Sequence, residues 1–215
     1  MKSEEALRII LETKVVAVIR MKDPRRLAQV VEAIRAGGVR AVEITMTVPG
    51  AADIIRDLVR NKPADGLVGA GTVLDAVAAE AVLDAGAEFV VSPVTDFDVI
   101  RLCRGRGVMV VPGAYTPTEI LAAWRAGADI VKVFPATSLG PQFFRDLKGP
   151  LPDIRLMPTG GVSVENARDF IAHGACAVAV GTALLDKKLI DAGDWAALTK
   201  KARDLVLSLR EAPAQ

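Results

Sequence analysis

The segment Asp129-Ile130-Val131-Lys132-Val133-Phe134-Pro135 sets one lysine inside a short run of apolar and β-branched residues. Such a run is typical of a buried β-strand. Lysine is among the residues least often fully buried, and removing its ammonium from water costs free energy unless the group is paired or neutral. Lys132 is therefore either an edge-strand residue whose ammonium reaches water or a buried group with a chemical role.

A second charged residue has the same setting. Glu43 lies in the run Ala41-Val42-Glu43-Ile44-Thr45, which also has the composition of a short strand. Taken alone, Glu43 fits an edge-strand residue that reaches solvent. Two buried charges of opposite sign would instead form a structural ion pair or the centre of a functional site.

Short apolar runs alternate eight times with longer segments of helical periodicity, and no linker or change of composition separates the repeats. The runs cover residues 15–20, 41–45, 67–72, 89–93, 108–113, 130–135, 155–160 and 177–182. Apolar strands that alternate with helices favour a parallel sheet covered by helices. We therefore predict an α/β fold, a single (β/α)8 TIM barrel domain over residues 1–215, with an extra N-terminal helix over residues 3–13.

An open doubly wound sheet is the alternative architecture for such a pattern. It calls for a glycine-rich phosphate loop after the first strand, and Val18-Ile19-Arg20-Met21-Lys22-Asp23 contains no glycine. The predicted helices have clear boundaries, with a cap and a proline at Asp23-Pro24 and glycines before the next strand at Ala36-Gly37-Gly38-Val39. The sequence therefore favours the barrel over the open sheet.

Composition limits the classes of function. The 215 residues carry a formal net charge of +1 with basic and acidic residues interspersed, so there is no basic stripe for nucleic acid and no polybasic segment for anionic membranes. The first residues are acidic, unlike a signal peptide, and no apolar run reaches the length of a membrane span. We expect a cytoplasmic protein that acts on a small molecule, without nucleic-acid or membrane partners.

Cysteine and histidine are scarce in the chain. Cys103 and Cys176 lack the spacing of metal ligands and are interpreted as reduced core residues, and His173 is the single histidine. Because His173 also lies late in a predicted helix, neither a histidine-rich metal site nor a Ser-His-Asp triad can be assembled. The sequence predicts no metal site and no cofactor.

The site of a barrel of this kind is built at the carboxyl ends of its strands. The residues at the ends of the predicted strands are Arg20, Glu43, Thr45, Thr72, Pro93, Lys132, Phe134, Thr159, Gly160, Gly161, Gly181 and Thr182. Glu43 and Lys132 lie on the second and sixth strands, and alternate strands contribute side chains to the same interior layer. We therefore expect these two side chains to meet across the axis, while Val131 and Val133 face the helices.

A lysine and a carboxylate in this arrangement have a defined chemistry. Burial disfavours the charged form of Lys132 and a neighbouring carboxylate favours it, so the balance sets the amount of free amine. A free amine attacks carbonyl groups to give a Schiff base, and Glu43 is placed to move the protons. The alternative for the pair is a structural ion pair with no further role.

The last two predicted strands each end in glycine beside a hydroxyl residue, at Thr159-Gly160-Gly161 and Gly181-Thr182. Barrels of this kind often bind phosphate with the loops after strands seven and eight. Each motif alone is more often a turn than a site, but together they predict a phosphate ester as substrate.

Arg20 is the candidate for the other anionic end of such a substrate. Its guanidinium could bind a carboxylate as a fork, with Thr45, Thr47 and Thr72 as hydroxyl donors. The alternative for Arg20 is a surface arginine at a strand end.

These motifs, in this order along almost the whole chain, resemble those of the class I aldolases that cleave 2-keto-3-deoxy-6-phosphogluconate (KDPG), several of which also act on 4-hydroxy-2-oxoglutarate (KHG). The similar segments are Gly37-Gly38-Val39, Val42-Glu43-Ile44-Thr45, Val68-Gly69-Ala70-Gly71-Thr72-Val73, Val91-Ser92-Pro93, Lys132-Val133-Phe134-Pro135, Pro158-Thr159-Gly160-Gly161-Val162 and Val180-Gly181-Thr182-Ala183. Any one of them is weak evidence, but the ordered series is specific.

The resemblance implies a role for each matching residue. It implies Lys132 as the Schiff-base lysine and Glu43 as the acid/base. It implies Thr72, Pro93, Phe134 and Thr159 around the pyruvyl group, and Gly160, Gly161, Gly181 and Thr182 near the phosphate. Family members are typically homotrimers, so a homotrimer is expected by resemblance.

The chain departs from some members of the family at Thr47, where they carry an arginine. Other members, with Thr-Val-Pro at this place as in Thr47-Val48-Pro49, carry an arginine at the end of the first strand. We therefore expect Arg20 to supply the guanidinium.

The expected activity is a metal-independent lyase that splits KDPG into pyruvate and glyceraldehyde 3-phosphate, as in the Entner–Doudoroff pathway of carbohydrate metabolism. Two alternatives use the same residues. A sugar-phosphate isomerase or epimerase would use Glu43 and the phosphate loops without covalent chemistry, and a catalytically silent sugar-phosphate binding protein would keep the pocket for recognition alone.

Overall fold

The computed structural model describes residues 3–21 and 23–210. The strands are β1 Val15–Ile19, β2 Ala41–Thr45, β3 Leu67–Gly71, β4 Phe89–Val91, β5 Met109–Val111, β6 Gly113–Ala114, β7 Val131–Val133, β8 Leu156–Pro158 and β9 Val178–Val180. The α-helices are α1 Ser3–Thr13, α2 Leu27–Ala36, α3 Ala51–Asn61, α4 Ala76–Asp84, α5 Phe97–Gly105, α6 Pro117–Arg125, α7 Gly140–Lys148, α8 Ala167–Ala172, α9 Lys187–Ala192 and α10 Trp195–Arg210. Short 3-10 helices cover Pro24–Arg26 and Ala136–Ser138.

The strands form two parallel sheets. Six strands pair in the order β5-β4-β3-β2-β1-β9, and three pair in the order β6-β7-β8. The predicted closed eight-stranded TIM barrel is therefore wrong. The structure is an open α/β fold in which a six-stranded half-barrel sheet lies beside a smaller second sheet.

A proline divides one predicted strand between the two sheets. Residues 108–113 contain β5, which pairs with β4, and β6, which pairs with β7. The carbonyls of Val110 and Pro112 face the β7 segment, since they accept the amides of Asp129 and Lys132 at 3.0 and 2.9 Å. Pro112 has no amide hydrogen to donate on this same side, so the pairing is interrupted here.

A second proline explains the gap between β8 and β9. The carbonyl of Leu156 faces β9 and accepts the amide of Cys176 at 2.9 Å. Because residues two apart in a strand point the same way, the amide of residue 158 would also face β9, but it is a proline. Within the described chain, isolated bridges at Leu156–Ala175 and Thr159–Ala179 are the pairings across this gap.

The concave faces of both sheets share one apolar interior. Its strand-derived members include Val16, Ala41, Leu67, Phe89, Met109, Ile130, Met157 and Ala177. The predicted N-terminal helix is present as α1, and its buried residues Ala6, Ile9 and Ile10 belong to this cluster. Val131 and Val133 belong to the other cluster, with residues of the surrounding helices, as the period-two pattern predicted.

Asp129, at the start of the lysine segment, connects this interior to α1. Its carboxylate accepts the amide of Val110 at 2.8 Å, the hydroxyl of Ser3 at 3.1 Å and a guanidinium N–H of Arg104 at 3.3 Å. Hydrogen bonds to a charged, nearly buried group are stronger than neutral ones. Asp129 therefore fixes the start of α1 against β5, the strand that contains Val110.

The single-domain organisation over residues 1–215 stays a prediction, and residues 1–2, 22 and 211–215 of that range lie outside the described part. Among the described residues, we find no helix that is both long and apolar enough to span a bilayer.

Candidate active site

Lys132 and Glu43 enter the shared interior from different sheets. Lys132 is the middle residue of β7, in register with Gly113 and Met157. Glu43 is the middle residue of β2, in register with Val18 and Gly69. The side chains are only 5% and 1% exposed, so both charges are taken out of bulk water.

The surroundings shift the pKa values of both groups. Burial lowers the pKa of the Lys132 ammonium below its usual value; Glu43 opposes this shift and Arg20 adds to it. Burial raises the pKa of the Glu43 carboxyl, and the positive charges of Lys132 and Arg20 oppose that shift. The result favours a neutral, nucleophilic amine beside a carboxyl that accepts a proton readily.

Within the described part of the chain, the carboxylate of Glu43 has no hydrogen-bond partner. Both of its oxygens are buried and unpaired among the described residues, so neither lies within hydrogen-bond distance of the Lys132 ammonium. A structural ion pair would satisfy both groups, because leaving a buried charge unpaired costs free energy. The arrangement is that of a proton acceptor with free lone pairs.

Gly71 gives the Glu43 carboxylate its space. A Cβ atom added at Gly71 would lie 1.7 Å from Oε1 of Glu43, so any larger residue must displace the carboxylate. The next residue, Thr72, has a φ angle of +57°. This left-handed conformation is uncommon for a β-branched residue and costs of order 1–3 kcal/mol, and such strain is concentrated at functional sites.

A cavity of about 680 Å³ opens at the carboxyl ends of the strands. Seven of the predicted site residues line it: Arg20, Phe134, Thr159, Gly160, Gly161, Gly181 and Thr182. The Oγ1 atom of Thr159 is buried without a partner among the described residues. This hydroxyl can therefore donate to a ligand in the cavity.

Phe134 connects the cavity to the buried lysine. The Nζ atom of Lys132 lies 4.8 Å from the centroid of the Phe134 ring, within cation–π range. The same ring lines the large cavity and a smaller cleft of about 370 Å³, in which Pro93 also lies. Neither lining includes Lys132 or Glu43, which are almost completely buried.

The turn after β8 requires glycine. Gly160 and Gly161 have φ angles of +83° and +75°, and a Cβ atom at Gly161 would lie 2.7 Å from the Cα atom of Thr137. Successive backbone amides in such turns form concave sites for anions. The turn suits a phosphate group at this wall of the cavity.

Thr45 and Thr47 bond to each other at the end of β2. Their hydroxyl oxygens are 2.8 Å apart, and the Thr45 hydroxyl donates to the carbonyl of Ile19 at 3.3 Å. These bonds hold the end of β2 beside the end of β1, where Arg20 follows Ile19. Direct contacts of Thr45, Thr47 and Thr72 with substrate stay a prediction, since none of the three lines either cavity.

A family model described as KDPG and KHG aldolase matches residues 7–201. The chain belongs to this aldolase family.

Relatives of this aldolase-family chain are similar along almost their whole length. The 2-dehydro-3-deoxy-phosphogluconate aldolase of Pseudomonas aeruginosa is 37% identical, over 90% of this chain and 88% of its own. A probable 2-dehydro-3-deoxy-6-phosphogalactonate aldolase of Rhizobium meliloti is 38% identical, over 86% of this chain and 87% of its own. A solved cube-shaped protein cage, designed by fusing symmetric oligomeric domains, has a TM-score of 0.85 at 31% identity, over 94% of this chain and 73% of its own.

Several residues of the aldolase-family cavity were not found from the sequence. They are Met21, Asp23, Val162, Leu185, Lys187, Ile190 and Asp191. Most belong to the loop after β1 or to α9, which contains six residues and is too short for a reliable helical period. Gly71 lay within a recognised motif, but its role depends on the contact with Glu43 across β2 and β3.

The charges around Lys132 predict opposite changes in its reactivity. Because Arg20 lowers the pKa of Lys132 and Glu43 raises it, Arg20→Met should move the pH midpoint of amine reactivity upward, and Glu43→Gln should move it downward. The measurement is carbamylation of Lys132 by cyanate across a pH series, followed by peptide mass spectrometry. Equal midpoints in the wild type and both variants would contradict the electrostatic coupling.

Proposed function

We propose that this aldolase cleaves KDPG to pyruvate and glyceraldehyde 3-phosphate through a Schiff base on Lys132, and cleaves KHG to pyruvate and glyoxylate. The chain is a lyase of carbon–carbon bonds, as its family and its curated relatives are. One observation supports the residue roles above all others. A buried amine with a lowered pKa shares an interior with a buried carboxylate whose two oxygens are unpaired.

Formation of the imine is the first step. The free amine of Lys132 attacks the keto carbon C2 of the substrate and gives a carbinolamine, which loses water to become an iminium ion. The lowered pKa of Lys132 increases the fraction of the free amine at a given pH. The iminium then withdraws electrons from the C3–C4 bond.

Glu43 moves the protons in the next steps. It removes the proton of the C4 hydroxyl, directly or through a water molecule, as the C3–C4 bond breaks and the aldehyde forms. The electron pair remains on C3 as an enamine, to which Glu43 returns a proton. Hydrolysis of the iminium releases pyruvate and restores Lys132.

The ends of the substrate are assigned to different walls of the site. The phosphate lies against Gly160, Gly161, Gly181 and Thr182, where the glycine turn presents backbone amides. Arg20 binds the carboxylate, and Thr72, Pro93, Phe134 and Thr159 surround the pyruvyl part. Water is kept from the imine by the apolar interior shared by the two sheets.

The first test is trapping of the imine. With pyruvate and sodium borohydride, we expect a reduced pyruvyl adduct on Lys132, because the reduction makes the carbon–nitrogen bond irreversible. EDTA should not change the yield of this adduct, since the proposed mechanism uses no metal. Lys132→Ala should give no adduct, whereas Lys188→Ala, which replaces an exposed lysine, should be labelled like the wild type. Intact and peptide mass spectrometry would detect both results.

Absence of an adduct on every lysine, with conversion of a sugar phosphate to an isomer, would favour an isomerase or epimerase. Binding of pyruvate or phosphate without any product would favour a sugar-phosphate binding protein. Turnover of KDPG by Lys132→Ala at the native rate would end the Schiff-base proposal.

We also propose that the enzyme is a cytoplasmic homotrimer assembled through an apolar rim patch of Leu74, Val77, Val94, Phe97 and Tyr115. These are five of the six large apolar side chains exposed in the described residues, and they follow β3, β4 and β6. Val94, Phe97 and Tyr115 line the smaller cleft together, and clustered exposed apolar side chains can mark interaction sites. The similarity to a domain of a cage built from symmetric oligomeric domains supports assembly.

A charge in the apolar rim patch should dissociate the oligomer, because an unpaired carboxylate is costly in an interface. Phe97→Glu is expected to sediment as a monomer in analytical ultracentrifugation. Leu207→Glu is the matched control, since Leu207 is the sixth exposed apolar residue and lies on α10. A monomeric wild type, or an unchanged Phe97→Glu protein, would contradict this assignment.

A further inference from the structure

The rim of the large cavity carries four charged side chains among the described residues. Arg20 and Lys187 are positive, and Asp23 and Asp191 are negative. Asp23 is already paired with the guanidinium of Arg25, and Asp191 is paired with Lys187. A phosphate ester that enters this cavity therefore competes with Asp191 for the ammonium of Lys187.

Lys187 forms an ion pair with one of these carboxylates, and this partner is easily exchanged. Its Nζ atom forms an ion pair with Asp191, four residues later on α9, and the two side chains are 85% and 61% exposed. Such exposed pairs within a helix contribute little stability. The ammonium can exchange Asp191 for a more highly charged anion at small cost.

The backbone of α9 is fixed at the mouth of the cavity. The guanidinium of Arg26 donates to the carbonyl of Ile190 and, at 2.8 Å, to the carbonyl of Asp191. This contact joins the last turn of α9 to the segment after β1, and residues from both elements line the cavity. The backbone of α9 is therefore held in place at the cavity, while the exposed side chain of Lys187 can change its partner.

We propose that Lys187 is a specificity-determining residue, whose ammonium leaves Asp191 to bind the phosphate of the substrate. This inference rests on the proposed function, since it takes the phosphate to lie against the turn of Gly160 and Gly161 in the same cavity. Lys187 then favours the phosphorylated substrate over KHG, which has no phosphate. Asp191 holds the ammonium at the rim before the substrate binds.

The test compares Lys187→Met with Lys188→Met. Lys188 is the next residue, exposed and absent from the cavity lining, so it is a matched control. In Lys187→Met, the ratio of kcat/KM for KDPG to kcat/KM for KHG should fall roughly tenfold, the size of one charge-assisted contact. The change should lie in KM for KDPG, while Lys188→Met keeps the wild-type ratio.

A second variant tests the exchange of partners. Asp191→Asn removes the carboxylate that competes with the phosphate, so it should lower KM for KDPG, most clearly at low ionic strength. Lys187→Met, Lys188→Met and Asp191→Asn are also titrated calorimetrically with inorganic phosphate. This measurement of binding does not depend on catalysis. Lys187→Met should bind phosphate about tenfold more weakly than Lys188→Met.

The outcomes separate the two proposals. Equal phosphate affinity in Lys187→Met and Lys188→Met, or an equal loss of activity on KDPG and KHG in Lys187→Met, overturns the assignment of Lys187. A wild-type protein that cleaves neither substrate, but binds phosphate through Lys187, overturns the proposed function and keeps Lys187 as a phosphate-binding residue.

Discussion

The burial of one ammonium and one carboxylate in a single apolar interior is the constraint on which this structure depends. Lys132 and Glu43 come from different sheets, so the interior that they share exists only when both sheets are formed. Desolvation pushes each group towards its neutral form, and the opposite charge pushes it back. Two buried charges that form no hydrogen bond with each other lower the free energy of unfolding. The same balance favours a free amine and a carboxyl that accepts a proton, and the proposed mechanism uses both.

The buried residues of the site and the residues at its rim have different proposed roles. In the proposed mechanism, covalent chemistry belongs to the buried pair, and Gly71 leaves the space that the Glu43 carboxylate occupies. The proposed recognition of anions belongs to the open cavity above, which glycine turns, Arg20 and Lys187 line. Phe134 lies between the two levels, because its ring contacts the ammonium of Lys132 and lines the cavity. Among the rim charges, Arg20 has a second effect, since it also shifts the pKa values of the buried pair.

The sequence predicted most of the helices and strands, but not that the strands divide into two sheets. Period-two alternation correctly placed Lys132 inward and Val131 outward, since this depends only on the direction of successive side chains. The strand-end rule placed seven predicted residues around one cavity. The closed barrel failed at Pro112 and Pro158, because the effect of a proline depends on which neighbour its missing amide would face. Lys187 was missed because its position over the cavity comes from tertiary contacts of a short helix.

Lys132 and Glu43 are proposed to form and protonate an enamine together, so the enzyme should exchange the methyl protons of pyruvate with D2O in the absence of any aldehyde, and ¹H NMR measures this exchange. We expect rapid exchange by the wild type, none by Lys132→Ala, and a rate lower by about 10²–10⁴ in Glu43→Gln, the usual contribution of general acid–base catalysis. Exchange by Glu43→Gln at the wild-type rate would contradict this proposal.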